Sequence, residues 1–437
     1  MATSDIKYHQ YLLALTREFK KLAKIEFLQP DNSVAFTLDN NYKRGYRTKY
    51  DTRAFIESGS LSVSMQNGKR RSASITLSNL DGAFDYTINK VWFGQKIRLS
   101  MGLVLPDGTD FYLPQGVFYI SNPSAVFKPN QRTITYNLVD KWAYLDGSLF
   151  GTLDNSYKIE RTSDKPENTI WSAMRSLLTL SKIDFKQTPD SEWQVDNVTP
   201  VFTNYYDNRK YTTSDGEEVN MTDIPYEILV SGDNATLANV MLELNDILVG
   251  QIGYDQMGTL RVDASQDDIE DNKKPILWNF TPENSQLLGM SETFKNGEVC
   301  NDVIVIGQSI ESKTPIYGRA SNYDPKSDTN INLVGRRTYR ESRSNYWNET
   351  QCKDLAMYRL KRKTALQKSV TIESSQMFHL AENNIVTVKR TDKEGSPTEK
   401  HLIQSYSLPI GETGAMNINC VSTNDLPNLG RGFSAEI

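Results

Sequence analysis

Hydrophobic residues recur along this chain with two periods, and the changes from one to the other mark its organisation. From Gly59, GSLSVSMQ sets Leu61, Val63 and Met65 against serines, and after Asn67-Gly68 the stretch SASITLS puts Ala73, Ile75 and Leu77 on one side. Alternation on both sides of Asn-Gly predicts a β-hairpin with a type I′ turn, whose two central residues both take positive φ. Two more strands, holding Ile97–Leu103 and Val117–Ile120, flank Asp107-Gly108, and RTITYNLVDKW adds another through Ile134, Tyr136 and Leu138. An antiparallel barrel or sandwich is expected here. Upstream, Ile25 and Phe27 are predicted to face Val34, Phe36 and Leu38 across a turn at Pro30-Asp31-Asn32. Before that hairpin, a helix capped by Ser4 places Leu12, Leu15, Phe19 and Leu22 on one face, with Arg17, Lys20, Lys21 and Lys24 opposite. That helix docks either on its own domain or on a neighbouring subunit. The polar stretch NNYKRGYRTKYDTR reads as a link.

After about residue 150 the helical period takes over. Asp164 and Pro166 announce a helix with Ile170, Trp171, Met174, Leu177 and Leu178 on one stripe. A second helix follows Asp233, carrying Leu237, Val240, Met241, Leu244, Ile247 and Leu248 and ending at Gly250. GQIGYDQMGTLRVDA reads as a short hairpin, and the polar run from Pro200 to Pro225 as a surface excursion. From about Asn301 strand patterns return, at Val303–Ile306, Val370–Ile372, Ile385–Val388, Leu402–Tyr406 and AMNINCVS. A polar loop from Gln308 to Ser344 interrupts them, followed by a helix over Tyr346–Lys363 with Cys352, Leu355, Ala356 and Leu360 inward. The pattern therefore predicts an α+β, mainly β chain in four parts. These are an N-terminal amphipathic helix (1–23), a first β domain (24–150), a smaller α+β middle domain (151–290) and a second β domain (291–437).

A length of 437 residues exceeds one hydrophobic core, in keeping with several domains. Composition changes the picture mainly by exclusion. No apolar run is long enough to span a membrane, and the N-terminus lacks the features of a secretory signal. A net charge of −5 argues against a dedicated nucleic-acid binder. Cys300, Cys352 and Cys420 are odd in number and far apart, which suits free thiols in a reducing compartment and no disulfide framework.

Candidate chemistry is sparse. His9, His379 and His401 form no HExxH or paired arrangement, and no GxSxG, P-loop or GxGxxG occurs. The acidic run QDDIEDNKK lacks the spacing of a calcium loop. Glu217-Glu218 supply a carboxylate pair, and Tyr205, Tyr206, Tyr211 and Trp193 a set of aromatics that suits either sugar stacking or packing. The basic cluster Arg359, Lys361, Arg362 and Lys363 suits a helix C-terminus on electrostatic grounds alone. No catalytic, cofactor-binding or metal-ligating residue is assigned, and a non-enzymatic protein without cofactor is expected. The rival reading is a multidomain carbohydrate-binding or glycan-hydrolysing surface protein that uses the middle-domain aromatics and carboxylates.

The runs ITLSNLDGAFDY, KVWFGQKIRLSMGL and LPQGVFYISNPS resemble the first barrel of baseplate hub proteins from tailed bacteriophages, which share a strand, SN-x-DG-x-F, G-x-x-I-x-L, G-x-F-x-I cadence. ATLANVMLELNDILVGQIGYDQMGTLRVD is similar to their central helix and hairpin, and LAMYRLKRK, ENNIVTVKR and HLIQSYSLPIGETGAMNINCVS to their last domain. The resemblance covers about residues 24 to 422 and is one of layout and short motifs. It implies two tube-type antiparallel β-barrels flanking the middle domain, in a homotrimer whose six barrels form a pseudo-sixfold ring. It further implies a place in the tail tip or baseplate of a virion or phage-tail-like particle, assembled in the host bacterial cytoplasm. The implied partners are the tail tube or distal tail protein, a central spike or tail fibre and the tape measure protein, with DNA only as transient cargo. Many relatives carry a lysozyme or peptidase extension that this sequence lacks, so cell-wall degradation is not among the expectations.

Overall fold

The computed structural model describes residues 2–15, 20–29, 32–40, 54–80, 82, 84, 95–129, 131–153, 156–183, 200–212, 218–232, 235–248, 250–263, 274–281, 283, 286–294, 299–308, 314–343, 349–364, 368–389, 398–411, 413–422 and 433–436. Of the predicted link at 40–53, all but Asn40 lies outside them.

The first unit begins with α1 (Ala2–Ala14), β1 (Lys21–Leu28) and β2 (Val34–Asp39). It continues with β3 (Phe55–Ser64), β4 (Arg71–Ser78), β5 (Lys96–Val104), β6 (Asp110–Lys128) and β7 (Gln131–Asp140), closing on a 3-10 turn at Lys141–Tyr144. β1 pairs with β2 as expected, and Asn32 takes φ 69° in the turn between them. In β4 alternate residues Ala73, Ile75 and Leu77 are buried, the period that fixes which face meets the core. The β3–β4 connection differs from expectation. Gly68 has positive φ but Asn67 does not, so the turn is not type I′. The strands end at Ser64 and Arg71, which leaves a wider loop whose Asn67 side chain is engaged elsewhere in the chain. The N-terminal helix also ends earlier than predicted. Leu22 lies in β1 because its strand period continues through Ala23, Ile25 and Phe27, and Phe19 is outside the described residues.

The middle unit holds β8 (Tyr157–Ile159), α2 (Ile170–Ile183), β9 (Val201–Phe202), β10 (Lys210–Thr212), β11 (Glu218–Asn220), β12 (Ile228–Val230), α3 (Leu237–Leu248), β13 (Gln251–Tyr254) and β14 (Leu260–Asp263). α2 and α3 bury the predicted stripes, with Ile170, Met174 and Leu177 against Leu237, Val240, Met241 and Leu244 in one core. A reciprocal cap starts α3. Asn239 N–H donates to Thr236 Oγ1 (3.2 Å) and Thr236 N–H to Asn239 Oδ1 (2.9 Å).

The last unit comprises β15 (Ile276–Phe280), β16 (Leu287–Phe294), β17 (Asp302–Gln308), β18 (Pro315–Asn322), α4 (Ile331–Val334), β19 (Thr338–Ser342), α5 (Glu349–Thr364), β20 (Lys368–Ser374), β21 (Ile385–Lys389), β22 (Thr398–Ile410), β23 (Met416–Ser422) and β24 (Phe433–Glu436). Two sequence expectations change here. Val303–Ile306 lies in β17, which belongs to a separate four-stranded sheet ordered β19-β17-β18-β24 and covered by α5 through Cys352, Leu355, Ala356 and Leu360. Much of the expected loop from Gln308 to Ser344 is β18, α4 and β19, strands whose mostly polar residues carry no apolar alternation. The drawn boundary at residue 290 also falls inside β16, which pairs with β20 of the last unit.

The chain is thus a mainly β, α+β protein with a large, mostly antiparallel sheet. Thirteen strands run β16-β20-β23-β22-β3-β4-β7-β6-β5-β1-β2, with β21 on β22 and β15 on β21. β2 returns beside β3, so the first half curls on itself. β22 joins the halves: its first part pairs with β21, and its end, from Ser405 to Ile410, pairs with β3. One hydrophobic core runs through both halves, from Tyr11 and Ile75 to Tyr406 and Ile418.

Candidate functional site

The side chains that hold the three units in register converge on the start of β4. Arg71 is fully buried and faces all three. Its Nη1 donates to the Gln115 carbonyl of β6 (3.0 Å), its Nε to the Tyr254 carbonyl of β13 (3.4 Å) and its Nη2 to Glu382 Oε2 of the last unit (2.5 Å). Burial disfavours the charge on Arg71, but the Glu382 carboxylate outweighs it and the guanidinium pKa is raised. Beneath the arginine, Asp140 Oδ2 accepts the backbone N–H groups of Arg70 (2.8 Å) and Arg71 (2.9 Å), and its Oδ1 that of Trp142 (3.1 Å). Burial pushes this carboxyl up to about 6 against the downward pull of those bonds.

The middle unit docks on the same place. The Asn67 side chain donates to the Gly250 carbonyl (3.3 Å) and accepts Ile252 N–H (3.0 Å), while Gly68 N–H donates to the Ile252 carbonyl (2.9 Å). Lys141, 1% exposed, donates to the Gly258 carbonyl (2.7 Å) at the tip of the β13–β14 hairpin. Gly258 sits at φ +73°, and a Cβ there would stand 2.7 Å from Val117 Cβ. Only glycine serves a turn of that hand pressed that closely. From the far end of the chain, Gln115 Nε2 donates to the Phe378 carbonyl (2.8 Å). Phe378 N–H donates to the Tyr11 hydroxyl (2.9 Å), which lies 3.2 Å from His379 Nδ1. The N-terminal helix therefore docks within its own chain. His379 packs against Tyr8, Tyr11 and Trp278, and burial pushes its pKa down to about 4, with a smaller opposing effect from the Leu277 carbonyl. A separate contact, Arg343 Nη1 to Asp246 Oδ2 (2.7 Å), ties the small sheet to α3.

An open cleft of 530 Å³ lies at this junction, lined by Arg70, Arg71, Arg261, Lys274, His379 and Glu382 among others. The remaining sequence candidates are dispersed. Glu218 is bonded to Lys210 (3.1 Å) and Glu217 is outside the described residues. Tyr206 is core, Tyr205 lies under the Arg209 guanidinium, and Trp193 is outside the described residues. Gln266–Asn272 of the acidic run and Lys273 are outside them too, whereas Lys274 reaches the cleft. In the basic cluster, Arg359 Nε and Nη2 clasp Glu341 and Lys363 stands over the Tyr339 ring. All three cysteines are free thiols. Among the described residues no group of three or more His, Cys, Asp or Glu is placed to hold a metal ion, and no helix is long and apolar enough to cross a membrane. The junction residues themselves were missed in the sequence, where Arg70 and Arg71 fall outside the predicted strands. The VDKW stretch, with an aspartate directly before an aromatic turn, is the one signal that pointed there.

No protein-family model matches the chain, and no curated protein matches it in sequence. Solved structures do match in fold. The tail protein from Neisseria meningitidis is 10% identical with a TM-score of 0.57, over 94% of this chain and 99% of that one. The 43 kDa tail protein of prophage MuSo2 from Shewanella oneidensis is 11% identical with a TM-score of 0.55, over 92% and 98%. A chain of the Francisella PdpA–VgrG complex is 10% identical with a TM-score of 0.50, over 97% of this chain and 62% of that one. The chain has the fold of phage tail proteins.

Proposed function

We propose that this chain is a structural, non-enzymatic hub of a phage tail tip or baseplate, or of a phage-tail-like particle. The observation that carries the reading is the match in fold to two phage tail proteins over nearly the whole of all three chains. Supporting it, this chain holds two β units fused through β3 and β22 over a common core. We take these as two tube-type barrels flanking the middle domain. In a homotrimer they supply six similar barrels, and such a ring meets a sixfold tail tube above while offering threefold symmetry to a spike or fibre below. Proposed partners are the tail tube or distal tail protein, the spike or fibre and the tape measure protein, with DNA passing only as cargo. The particle would be assembled in the host cytoplasm.

Sedimentation velocity on the purified chain, followed by electron microscopy of the particle, tests this. The expected result is a trimer of the chain on the tail axis at the tube end. A monomer at micromolar concentrations, absent from purified tails, defeats the reading.

A further inference from the structure

We propose that the cleft where the middle unit meets both end units binds an oxyanion, a carboxylate or phosphate group, with Arg70 as its principal ligand. Neighbouring arginines differ in how their charge is met. Arg71 has three protein partners, one of them a carboxylate. Arg70 is only 6% exposed, yet its side chain gives Nε to the Gln66 carbonyl (3.1 Å) and leaves Nη2 with no partner. A guanidinium withdrawn from water with an empty hydrogen-bonding position is unfavourable until an acceptor fills it. Its planar fork matches carboxylate and phosphate oxygens.

The fork is also held in place. The arginine stem lies on Gly253, where a Cβ would stand 2.3 Å from Arg70 Nε, and the Arg70 backbone N–H is fixed by Asp140.

The acids lining the cleft are largely engaged. Glu382 is paired with Arg71, Asp255 Oδ1 accepts the N–H groups of Met257 and Thr259 (both 2.9 Å), and Arg261 stands between Asp255 (3.8 Å) and Asp263 (3.7 Å). The cations Arg70, Arg71, Arg261 and Lys274 outnumber these carboxylates. At 530 Å³ the space admits a small organic acid, a phosphate, or an acidic side chain from another protein.

Isothermal titration of the full-length protein, at constant ionic strength, uses inorganic phosphate in one arm and acetyl-triglutamyl-amide in the other. Saturable binding of phosphate identifies a free ion, and saturable binding of the peptide alone identifies a protein-borne carboxylate. Either supports the site when Arg70→Gln weakens it about tenfold or more and Arg261→Gln, on an exposed side chain, weakens it severalfold. No saturable binding in either arm, or binding unchanged in both variants, overturns the proposal. Should Arg70→Gln not fold, crystals of the unaltered protein soaked in phosphate decide it. Density on Arg70 Nη2 supports the site and an empty cleft overturns it.

Discussion

Removing the charge from Glu382 tests how the three units are fastened. Glu382→Gln keeps the shape of the side chain and an oxygen for Arg71, but strands a cation whose side chain is 1% exposed. Opposite charges about 4 Å apart at an effective dielectric of about 20 interact by about 4 kcal/mol. Breaking one side of a buried pair is worth about 3–5 kcal/mol by the same reasoning. A loss of about 3 kcal/mol is expected for Glu382→Gln, since a neutral hydrogen bond survives. Arg71→Met should lose somewhat more, because the Gln115 and Tyr254 carbonyls also lose a donor. Combining the two changes should recover at least about 2 kcal/mol of the summed losses, as the double variant buries no lone charge. Urea unfolding followed by fluorescence, with calorimetry on the same samples, measures all three. Losses below about 1 kcal/mol, or strict additivity, would refute the reasoning.

Asp140 makes an unusual pH prediction. Its folded pKa of about 6 lies above the unfolded value, so the native state holds the extra proton between them and stability from this group rises as pH falls from about 7 to about 4. Comparing urea midpoints of the wild type and Asp140→Asn across that range isolates the effect, and parallel curves would contradict it. Burial pushes the Cys352 thiol up to about 11 and also raises that of Cys420, so iodoacetamide should modify only half-buried Cys300 in the native protein. Intact mass should show one adduct, and labelling of Cys420 before unfolding would speak against the packing described. Gly258→Ala should lower stability by about 1–3 kcal/mol through positive φ and the clash with Val117. A melting temperature equal to wild type would show that the β13–β14 tip is not pressed on the first unit.

Periodicity carried the local elements and not their partners. The stripes of α2, α3 and α5 and the alternation of β4 were legible because each shows one apolar face to one core. NDVIVIG was legible as a strand, but nothing in its residues says that it leaves the large sheet to lie under α5. β19 was not legible at all, since TYRES is polar and half or fully exposed throughout. The junction was hidden for a different reason. Arg71 and Glu382 stand 311 positions apart, and a charged residue in a strand gives no sign that its partner will follow it into the interior. The Asn67-Gly68 dipeptide marked the β3–β4 connection, but the type I′ turn expected of it does not form, since only Gly68 takes positive φ. It turns the chain, but the asparagine side chain serves the middle unit instead of its own hairpin.

The shared strand β22 has a mechanical consequence. It runs from its pairing with β21 directly into its pairing with β3, without a linker between the two halves. Hydrogen bonds in an antiparallel ladder lie across the strands, so tension along β22 loads the pairs from Ser405–Ser64 to Ile410–Gly59 together and not one after another. A pull on one half is thereby delivered to the other as shear through a rigid ribbon, and the two would move as one body under load.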